Sequence, residues 1–425
     1  MVVDVLTDAG SSPQPDPPAE NVLSGVAETA RAAATVSDSQ SQRQPPTTPA
    51  GTVSPTTSHD QLIAHTVAEG VPAATVAATS LPAVVTNPLT ASTPSVATPT
   101  AVEGVVVGQS TLTIPCGPGY EVPADWYFPT GADPPTGLIW LQHGFLAQGP
   151  WYSTTAATLA KETNSIVGAP SITSNFLQCD GCWLNGDPME RAVASMLADR
   201  TELTESVRRA VGLPITLPDK FVLVGHSAGG GFAVAVTGFL ADTAAFDNLA
   251  GVVMFDGVAL NNSMTTALTK IPNTVPVYQI AAPSYIWNNF GSGTAQLLQA
   301  RPGQFTGFQL AGGSHVDSMP GNAIIDFVAQ LLTGFSPPGN YRAVVTLSTG
   351  WINDMYDPDG HHGIYAGSGQ TIKIGKAAAT ALPTPPTWFT PIERLLRHTA
   401  VAFEQFFFGL LNHHPAPTAS ARTAA

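Results

Sequence analysis

The chain has 425 residues with a formal net charge of −14, and 44% of its residues are hydrophobic while only 11% are charged. This length suits one large domain or two ordinary ones, and the apolar content suffices for a sizeable core. The acidic balance and thin Lys and Arg content argue against a nucleic-acid partner. The sequence contains no run of about 20 apolar residues, so no membrane-spanning helix is predicted. The first residues lack the basic and apolar regions of a signal peptide.

The first quarter of the chain has an unusual composition. Residues 11–100 consist mainly of Ser, Thr, Pro, Ala and Val, and no aromatic residue precedes Tyr120. Such a segment buries too little apolar surface to offset the entropy lost on ordering. We therefore predict that residues 1–104 form a disordered linker.

A different pattern begins at Val105. Two extended segments flank a Gly-Pro-Gly turn at 117–119, and short apolar runs then alternate with helical stretches. Strands are predicted in GLIWLQHGF, NSIVGAPS, DKFVLVGHS, LAGVVMFDG, VPVYQIAAP and TGFQLAGG, and helices at 152–162, 188–211 (capped by Asp187), 229–240 and 323–332. This alternation predicts an α/β domain over residues 105–335, with a mostly parallel sheet covered by helices on both faces.

The remaining residues form a small addition to that domain. Residues 336–389 are predicted as a partly extended extension, with RAVVTLST and GQTIKIG as its extended parts. Residues 390–412 are predicted as an amphipathic helix, because Thr390 and Glu393 form a capping box and a wide Leu/Phe stripe follows. That stripe docks on the domain or contacts a membrane surface, and residues 413–425 are a disordered tail.

One short motif carries the chemistry. Residues Gly225 to Gly229 read GHSAG, which matches G-x-S-x-G, and a strand-like run precedes it while a helix-like run follows. In this sharp strand-to-helix turn the serine hydroxyl is lifted above the sheet edge, and the next N–H faces a developing oxyanion. Ser227 is the candidate nucleophile and the Ala228 N–H a candidate oxyanion donor. The alternative is an idle serine in a Gly-rich turn.

A second oxyanion donor is expected in the loop after an earlier strand. The run LQHGF ends in His143-Gly144, where glycine allows close approach of the backbone to a substrate oxygen. The N–H of Phe145 is the candidate, with Leu146 in reserve. His143 is expected to orient this loop.

The general base is expected late in the chain. His315, in GGSH, is the only histidine between Ser227 and Ala343, and it follows a predicted strand. A loop at that position brings the imidazole over the serine. His361 and His362 lie beyond the last predicted core helix and are assigned to structure or surface.

Few carboxylates are placed to act as the acid that orients His315. No Asp or Glu lies between Gly257 and Val316, so Asp256, at the end of the strand in MFDG, is the candidate. Asp242 and Asp247 fall at the helix end and loop on the wrong side of the sheet. Asp317 is too close in sequence to His315 to reach its Nδ1 atom.

The segments QHGF, GHSAGG, MFDG and GGSH together resemble the α/β-hydrolase-fold serine esterases and lipases, over roughly residues 110–335. The acid position resembles that of platelet-activating-factor acetylhydrolases and chlorophyllases. The resemblance implies ester hydrolysis through an acyl-enzyme, with no cofactor and no metal. The Ala/Pro/Thr-rich tail further suggests a mycobacterial or related actinobacterial cell-envelope protein.

Other residues were assigned around this centre. Leu146, Trp183 and His226 are candidate substrate-binding residues, with a packing role as the alternative for Trp183. A disulfide between Cys179 and Cys182 is possible in an exported protein and would leave Cys116 free, whereas all three are reduced in the cytoplasm. A lone C-x-x-C does not predict a zinc site.

Two classes of function follow. The first is a carboxylesterase or lipase acting on a small-molecule or lipid ester, secreted or associated with the cell envelope, with a cytoplasmic location left open. The second is a non-catalytic hydrolase-like module whose apolar pocket binds lipid or a protein partner. The intact set of Ser227, Asp256 and His315 favours the first.

Overall fold

The computed structural model of the chain describes residues 100–177, 180–260, 263–321, 329–331 and 333–384. The predicted linker up to residue 99, most of the helix predicted at 323–332, the amphipathic helix and the tail lie outside the described residues. In the described part, no helix is both long enough and apolar enough to cross a membrane.

Eleven strands of the described part form one sheet, in the spatial order β1-β2-β3-β5-β4-β6-β7-β8-β9-β11-β10. In chain order they are β1 (Thr100–Val102), β2 (Val105–Ile114), β3 (Tyr120–Pro129), β4 (Gly137–Gln142), β5 (Ser165–Pro170), β6 (Phe221–His226), β7 (Leu249–Phe255), β8 (Val277–Ala281), β9 (Gly307–Leu310), β10 (Thr371–Ile374) and β11 (Ala377–Ala381). Strands β4 to β9 are mutually parallel, and antiparallel strands flank them on both sides.

Helices cover both faces of this sheet. They are α1 (Ser153–Glu162), α2 (Asp187–Asp199), α3 (Thr201–Val211), α4 (Ala228–Leu240), α5 (Ser263–Lys270), α6 (Ser292–Ala300) and α7 (Asn340–Tyr356), with short 3-10 helices at Gly149–Tyr152, Ala244–Asn248 and Ile286–Gly291. Every residue of β4, β5 and β6 is buried, as expected of parallel strands covered on both sides.

The hydrophobic core therefore has two halves, one on each face of the sheet. Alternate residues of β4 point to opposite faces: Leu138 and Trp140 pack with α2 to α6, whereas Ile139 and Leu141 pack with α1 and α7. A mostly parallel sheet with helices on both faces and a strand–serine–helix turn is the α/β-hydrolase fold. The fold predicted from the sequence is confirmed.

The helix predicted at 188–211 is two helices, which is a correction. Arg200 separates α2 from α3 and has a φ of 65°, a left-handed conformation that ends a helix. Its guanidinium group donates hydrogen bonds to the carbonyl oxygens of Pro218 and Asp219, 2.5 and 2.9 Å away. Asp187 is the first helical residue rather than the cap, which is Gly186.

The segment after residue 335 also differs from its prediction. RAVVTLST lies within α7 and is helical, whereas GQTIKIG forms β10 as expected. Strand β11 pairs with β9, and α7 packs on the face that carries α1. The described residues of this segment, up to residue 384, are therefore part of the same sheet domain.

The cysteine pairing also differs from the sequence prediction. Cys116 and Cys182 form a disulfide with a Cα–Cα distance of 5.8 Å, within the range that the bond requires. It ties the turn after β2 to the loop before α2, 66 residues apart. Cys182 is thus unavailable to Cys179. Tertiary packing brings the two segments together, and the spacing of the cysteines carries no sign of it.

Candidate active site

Ser227 occupies a strained turn between β6 and α4. Its φ is 54° and its ψ is −125°, a conformation that a non-glycine residue rarely adopts. A Cβ atom at Gly225 would lie 2.0 Å from the carbonyl oxygen of Gly229, so the turn requires glycine two residues before the serine. The serine is held on both sides, because its N–H donates to Phe255 O (3.0 Å) and its carbonyl accepts from Val258 N (2.8 Å).

The three residues that the sequence singled out lie in one hydrogen-bonded row, termed here the Ser–His–Asp row (Ser227, His315 and Asp256). His315 Nε2 is 2.8 Å from Ser227 Oγ. His315 Nδ1 is 2.6 Å from Asp256 Oδ2. All three residues are buried, and the imidazole thus bridges a hydroxyl and a carboxylate. This is the arrangement in which a base removes the hydroxyl proton while the carboxylate orients that base.

The register of the sheet explains why Asp256 reaches the site. His226 at the end of β6 lies level with Phe255 at the end of β7, so the next residues, Ser227 and Asp256, emerge side by side. The φ of Asp256 is 43°, which turns its side chain away from the course of the strand. Its second oxygen, Oδ1, accepts hydrogen bonds from Ala282 N (2.9 Å) and Asn288 Nδ2 (3.3 Å).

The other carboxylates considered for the acid lie elsewhere. Asp242 is exposed and pairs with Lys270 Nζ at 2.7 Å. Asp247 is exposed in the 3-10 helix at Ala244–Asn248. Asp317 accepts from Ser314 N (3.0 Å), so it braces the loop that carries His315 without contacting the imidazole.

Two backbone N–H groups beside Ser227 are free to bind an anion. Within the described residues, the Phe145 N–H and the Ala228 N–H have no hydrogen-bond acceptor. The neighbouring groups are engaged: Gly144 N donates to Tyr152 Oη (3.0 Å) and Leu146 N to Ser174 Oγ (2.9 Å). Leu146 N–H, the reserve candidate, is thus occupied. A Cβ atom on Gly144 would lie 3.0 Å from Ser227 Cβ, so this loop borders the serine.

The three expected substrate-binding residues have different positions. Leu146 is 72% exposed on the loop beside Ser227, where a ligand could reach it. Trp183 is 2% exposed and lies edge-on to Phe176 in the core, so the packing alternative holds. His226 is 3% exposed and both ring nitrogens bond to protein, so the expected contact with substrate is not supported.

Several residues of the site were missed at the sequence level. Tyr285 Oη accepts from the His315 N–H at 2.6 Å, and Asn288 contacts Asp256 as described above. Both lie just after β8, at the same edge of the sheet as the serine, which is the one signal that could have indicated them. Tyr152, whose hydroxyl accepts from Gly144 N, follows no such rule.

Large apolar side chains are exposed around the site. Besides Leu146 these are Leu177, Ile286 and Trp287, exposed by 69%, 56% and 49%. Leu146 hydrogen-bonds to the segment that precedes Leu177, and Ile286 and Trp287 lie between Tyr285 and Asn288. These four residues are termed the apolar rim below.

Burial shifts the pKa of several groups in the domain. Burial lowers the pKa of His226 well below 6.5, with a further decrease from the nearby His315. Burial also lowers the pKa of His143 to about 4 and raises that of Glu190 to about 8. Both histidines are therefore neutral at pH 7, and Glu190 is largely protonated. In the described part, no cluster of three His, Cys, Asp or Glu side chains is arranged to hold a metal ion.

Comparison with known proteins gives distant structural likenesses. No family model and no curated protein matches the sequence. A bacterial brefeldin A esterase, described as a homologue of human hormone-sensitive lipase, is 14% identical over 59% of this chain and 77% of its own, with a TM-score of 0.41. A Pyrobaculum calidifontis esterase is 15% identical over 58% and 85%, with a TM-score of 0.38. A dienelactone hydrolase from Anabaena variabilis is 15% identical over 58% and 97%, with a TM-score of 0.40. Identities and TM-scores this low do not support a transfer of function, which has to follow from the chain's own residues.

Proposed function

We propose that the chain is a serine hydrolase that cleaves carboxylic esters through an acyl-enzyme on Ser227. The observation that carries the proposal is the Ser–His–Asp row, with its serine in a strained turn at the start of α4. Strain at a buried polar residue persists only where the surrounding structure enforces it, and such positions concentrate at reactive sites.

Acylation follows from the geometry of the row. His315 Nε2 takes the proton of Ser227 Oγ as that oxygen attacks the ester carbonyl. The Asp256 carboxylate keeps the proton on Nδ1 and stabilises the imidazolium that forms. The imidazolium then returns a proton to the departing alcohol, leaving the acyl group on the serine.

Charge on the carbonyl oxygen needs its own donors. The free N–H groups of Phe145 and Ala228 supply them, the second at the positive end of α4. Loss of one such donor typically lowers the rate by about 10²–10³-fold. His315 then takes a proton from a water molecule that attacks the acyl-enzyme, and the same donors hold the second tetrahedral intermediate. Its collapse breaks the bond to Ser227 Oγ and releases the carboxylic acid, while His315 returns the proton to Oγ.

The surroundings of the row favour an ester with an apolar part. The apolar rim exposes four large side chains, two of them on the segment whose Tyr285 and Asn288 bond to His315 and Asp256. An acyl or lipid ester is therefore the substrate class that we propose. Contact with a membrane through residues 390–412 stays a prediction from the sequence.

An oxidising location belongs to the same proposal. The Cys116–Cys182 disulfide supports it, since such bonds persist in secreted and envelope proteins and are rare in the cytoplasm. Secretion and the actinobacterial origin remain predictions from the sequence. Detection of the bond in protein isolated from its native host, by mass spectrometry without reduction, tests the location.

Active-site labelling decides between catalysis and simple binding. A fluorophosphonate should modify folded wild-type protein at Ser227 and leave Ser227→Ala unlabelled, while a series of p-nitrophenyl esters of rising acyl length should give turnover with wild type alone. Folded protein that takes no label and hydrolyses no ester would instead favour the non-catalytic binding module. The series also measures the preferred acyl length.

A further inference from the structure

A chain of hydrogen bonds connects the two loops that flank Ser227. Gly144 N lies 3.0 Å from Tyr152 Oη, and Tyr152 Oη lies 2.6 Å from His226 Nδ1. His226 Nε2 in turn lies 2.6 Å from the carbonyl oxygen of His315. This series of hydrogen bonds thus runs from the loop that carries Gly144 and Phe145, termed the oxyanion loop, through His226 to the backbone of His315.

The direction of each bond follows from its ends. The Gly144 N–H is a donor only, so Tyr152 Oη accepts there. The carbonyl of His315 is an acceptor only, so His226 Nε2 carries a proton. A neutral ring with its proton on Nε2 has a lone pair on Nδ1, which accepts the proton of Tyr152 Oη, so the neutral Nε2–H tautomer satisfies every link.

The surroundings of His226 make a charge there unfavourable. Its ring is 3% exposed, and its centroid lies 4.7 Å from that of the His315 ring. A second cation at this distance would oppose the imidazolium that His315 forms during the reaction. A neutral side chain that donates on one side and accepts on the other meets both requirements.

We propose that His226 is a positioning residue that, together with Tyr152, fixes the oxyanion loop and the His315 loop at one distance from Ser227. It touches neither substrate nor the reacting atoms. Since Ser227 follows it directly in the chain, one buried side chain holds all three parts of the centre in register. The inference rests on the proposed function. It assigns to His226, the last residue of β6, a role in positioning the site as well as in forming the turn.

The kinetics of three variants test the proposal. His226→Phe keeps a ring but removes both hydrogen bonds, so kcat should fall about 10²-fold with KM little changed, the loss expected for a misplacement of about 1 Å. Tyr152→Phe should lower kcat about tenfold, as for one neutral hydrogen bond. His226→Gln offers an amide donor and a carbonyl acceptor and should recover kcat to within about tenfold of wild type.

A double variant tests the link itself. Because both side chains act through one chain of bonds, Tyr152→Phe combined with His226→Phe should be about as slow as His226→Phe alone. Losses that multiply would overturn the proposal, as would a folded His226→Phe enzyme with kcat within about threefold of wild type. A rise in KM at unchanged kcat would also overturn it, because that pattern marks a substrate contact.

A measurement on the wild-type protein does not depend on activity or on the folding of a variant. With ¹⁵N-labelled histidine, long-range ¹H–¹⁵N correlation at pH 7 should identify His226 as the neutral Nε2–H tautomer. A charged ring or an Nδ1–H tautomer would overturn the proposal. Wild-type protein that takes no fluorophosphonate label and hydrolyses no ester would contradict the proposed function, whatever tautomer His226 has.

Discussion

The two oxygens of Asp256 have different partners, and this asymmetry gives a sharp test of its role. Oδ2 faces His315 Nδ1, whereas Oδ1 accepts from two donors, Ala282 N–H and the Asn288 amide. An asparagine in this place has to turn its own oxygen towards those two donors. Its NH₂ group then faces Nδ1 and favours the imidazole tautomer that protonates Nε2.

Asp256→Asn should therefore fold normally and lose most of its activity. A protonated Nε2 cannot accept the proton of Ser227, and the expected loss of kcat is about 10⁴-fold. Steady-state kinetics on a p-nitrophenyl ester, with circular dichroism to verify folding, measure it. Asp242→Asn is the matched control, because its exposed carboxylate pairs with Lys270 and should leave kcat unchanged. Near-normal turnover by Asp256→Asn would rule out Asp256 as the acid.

Glu190 gives a prediction about stability against pH. Its side chain is buried, one oxygen accepts from Ser263 Oγ (3.1 Å), and burial raises its pKa from 4.5 to about 8. Between these two pKa values the folded chain binds more protons at this site than the unfolded chain does. The free energy of unfolding that depends on Glu190 therefore falls as pH rises through this window.

Glu190→Gln should remove that dependence, because the amide is neutral at every pH in the window. Urea unfolding should give similar midpoints for variant and wild type at pH 4, below both pKa values. At pH 9 the variant should be more stable by a few kcal/mol, at about 1.4 kcal/mol per pKa unit. Glu121→Gln, a change at an exposed carboxyl on β3, is the control and should shift neither value. Equal pH profiles for wild type and Glu190→Gln would contradict the raised pKa.

The sequence indicated the three residues of the Ser–His–Asp row and missed the residues that pack around them. Ser227, Asp256 and His315 each come just after a predicted strand, and parallel strands end at one edge, so their neighbourhood was predictable. Tyr152, Tyr285 and Asn288 lie in or beside 3-10 helices. Their approach to the site depends on how those helices pack, which no local pattern of residues encodes.

Among the elements, α7 is a helix whose local sequence predicts extended structure. Its β-branched residues Val344, Val345 and Thr346 favour extended structure locally, which explains the prediction. Leu347, Trp351 and Met355, four residues apart, instead form one buried face against the sheet. Burial of that face outweighs the local preference, because propensities contribute only tenths of a kcal/mol per residue.

The disulfide gives a prediction at this scale. A bond that closes a 66-residue separation should stabilise the folded chain by about 4 kcal/mol in the chain-entropy model. Cys116→Ser should therefore lower the free energy of unfolding by about this amount, measured by urea denaturation without reductant. Addition of dithiothreitol to the wild type should produce the same loss.

Cys179→Ser is the comparison that separates the two pairings considered for this chain. With Cys116 bonded to Cys182, the Cys179 substitution should leave the free energy of unfolding within about 0.5 kcal/mol of wild type. A large loss in Cys179→Ser together with an unchanged Cys116→Ser would restore the pairing expected from the sequence spacing.

At the scale of the whole molecule, one continuous sheet integrates what the sequence divided into a domain and an extension. Strand β11 pairs with β9, whose following loop carries His315, and α7 packs under the same sheet. Asn340 at the start of α7 bonds to Asp317, which braces that loop. The segment after residue 335 thus supports the base, although it supplies no member of the Ser–His–Asp row.

The N-terminal residues, in contrast, are expected to be dispensable for both activity and stability. The core of both faces and the Ser–His–Asp row lie within residues 100–384, and the aromatic-free composition before Tyr120 predicts a linker. Deletion of residues 1–95 should therefore leave kcat and Tm almost unchanged.

Deletion of residues 1–112 is the matched control: it removes β1 and most of β2, including Leu112, which is fully buried. That loss uncovers the edge of β3 and opens the core, so Tm should fall sharply and activity should disappear. Esterase assays and thermal melts of both truncations decide the matter, and a collapse of the shorter truncation would overturn the linker interpretation.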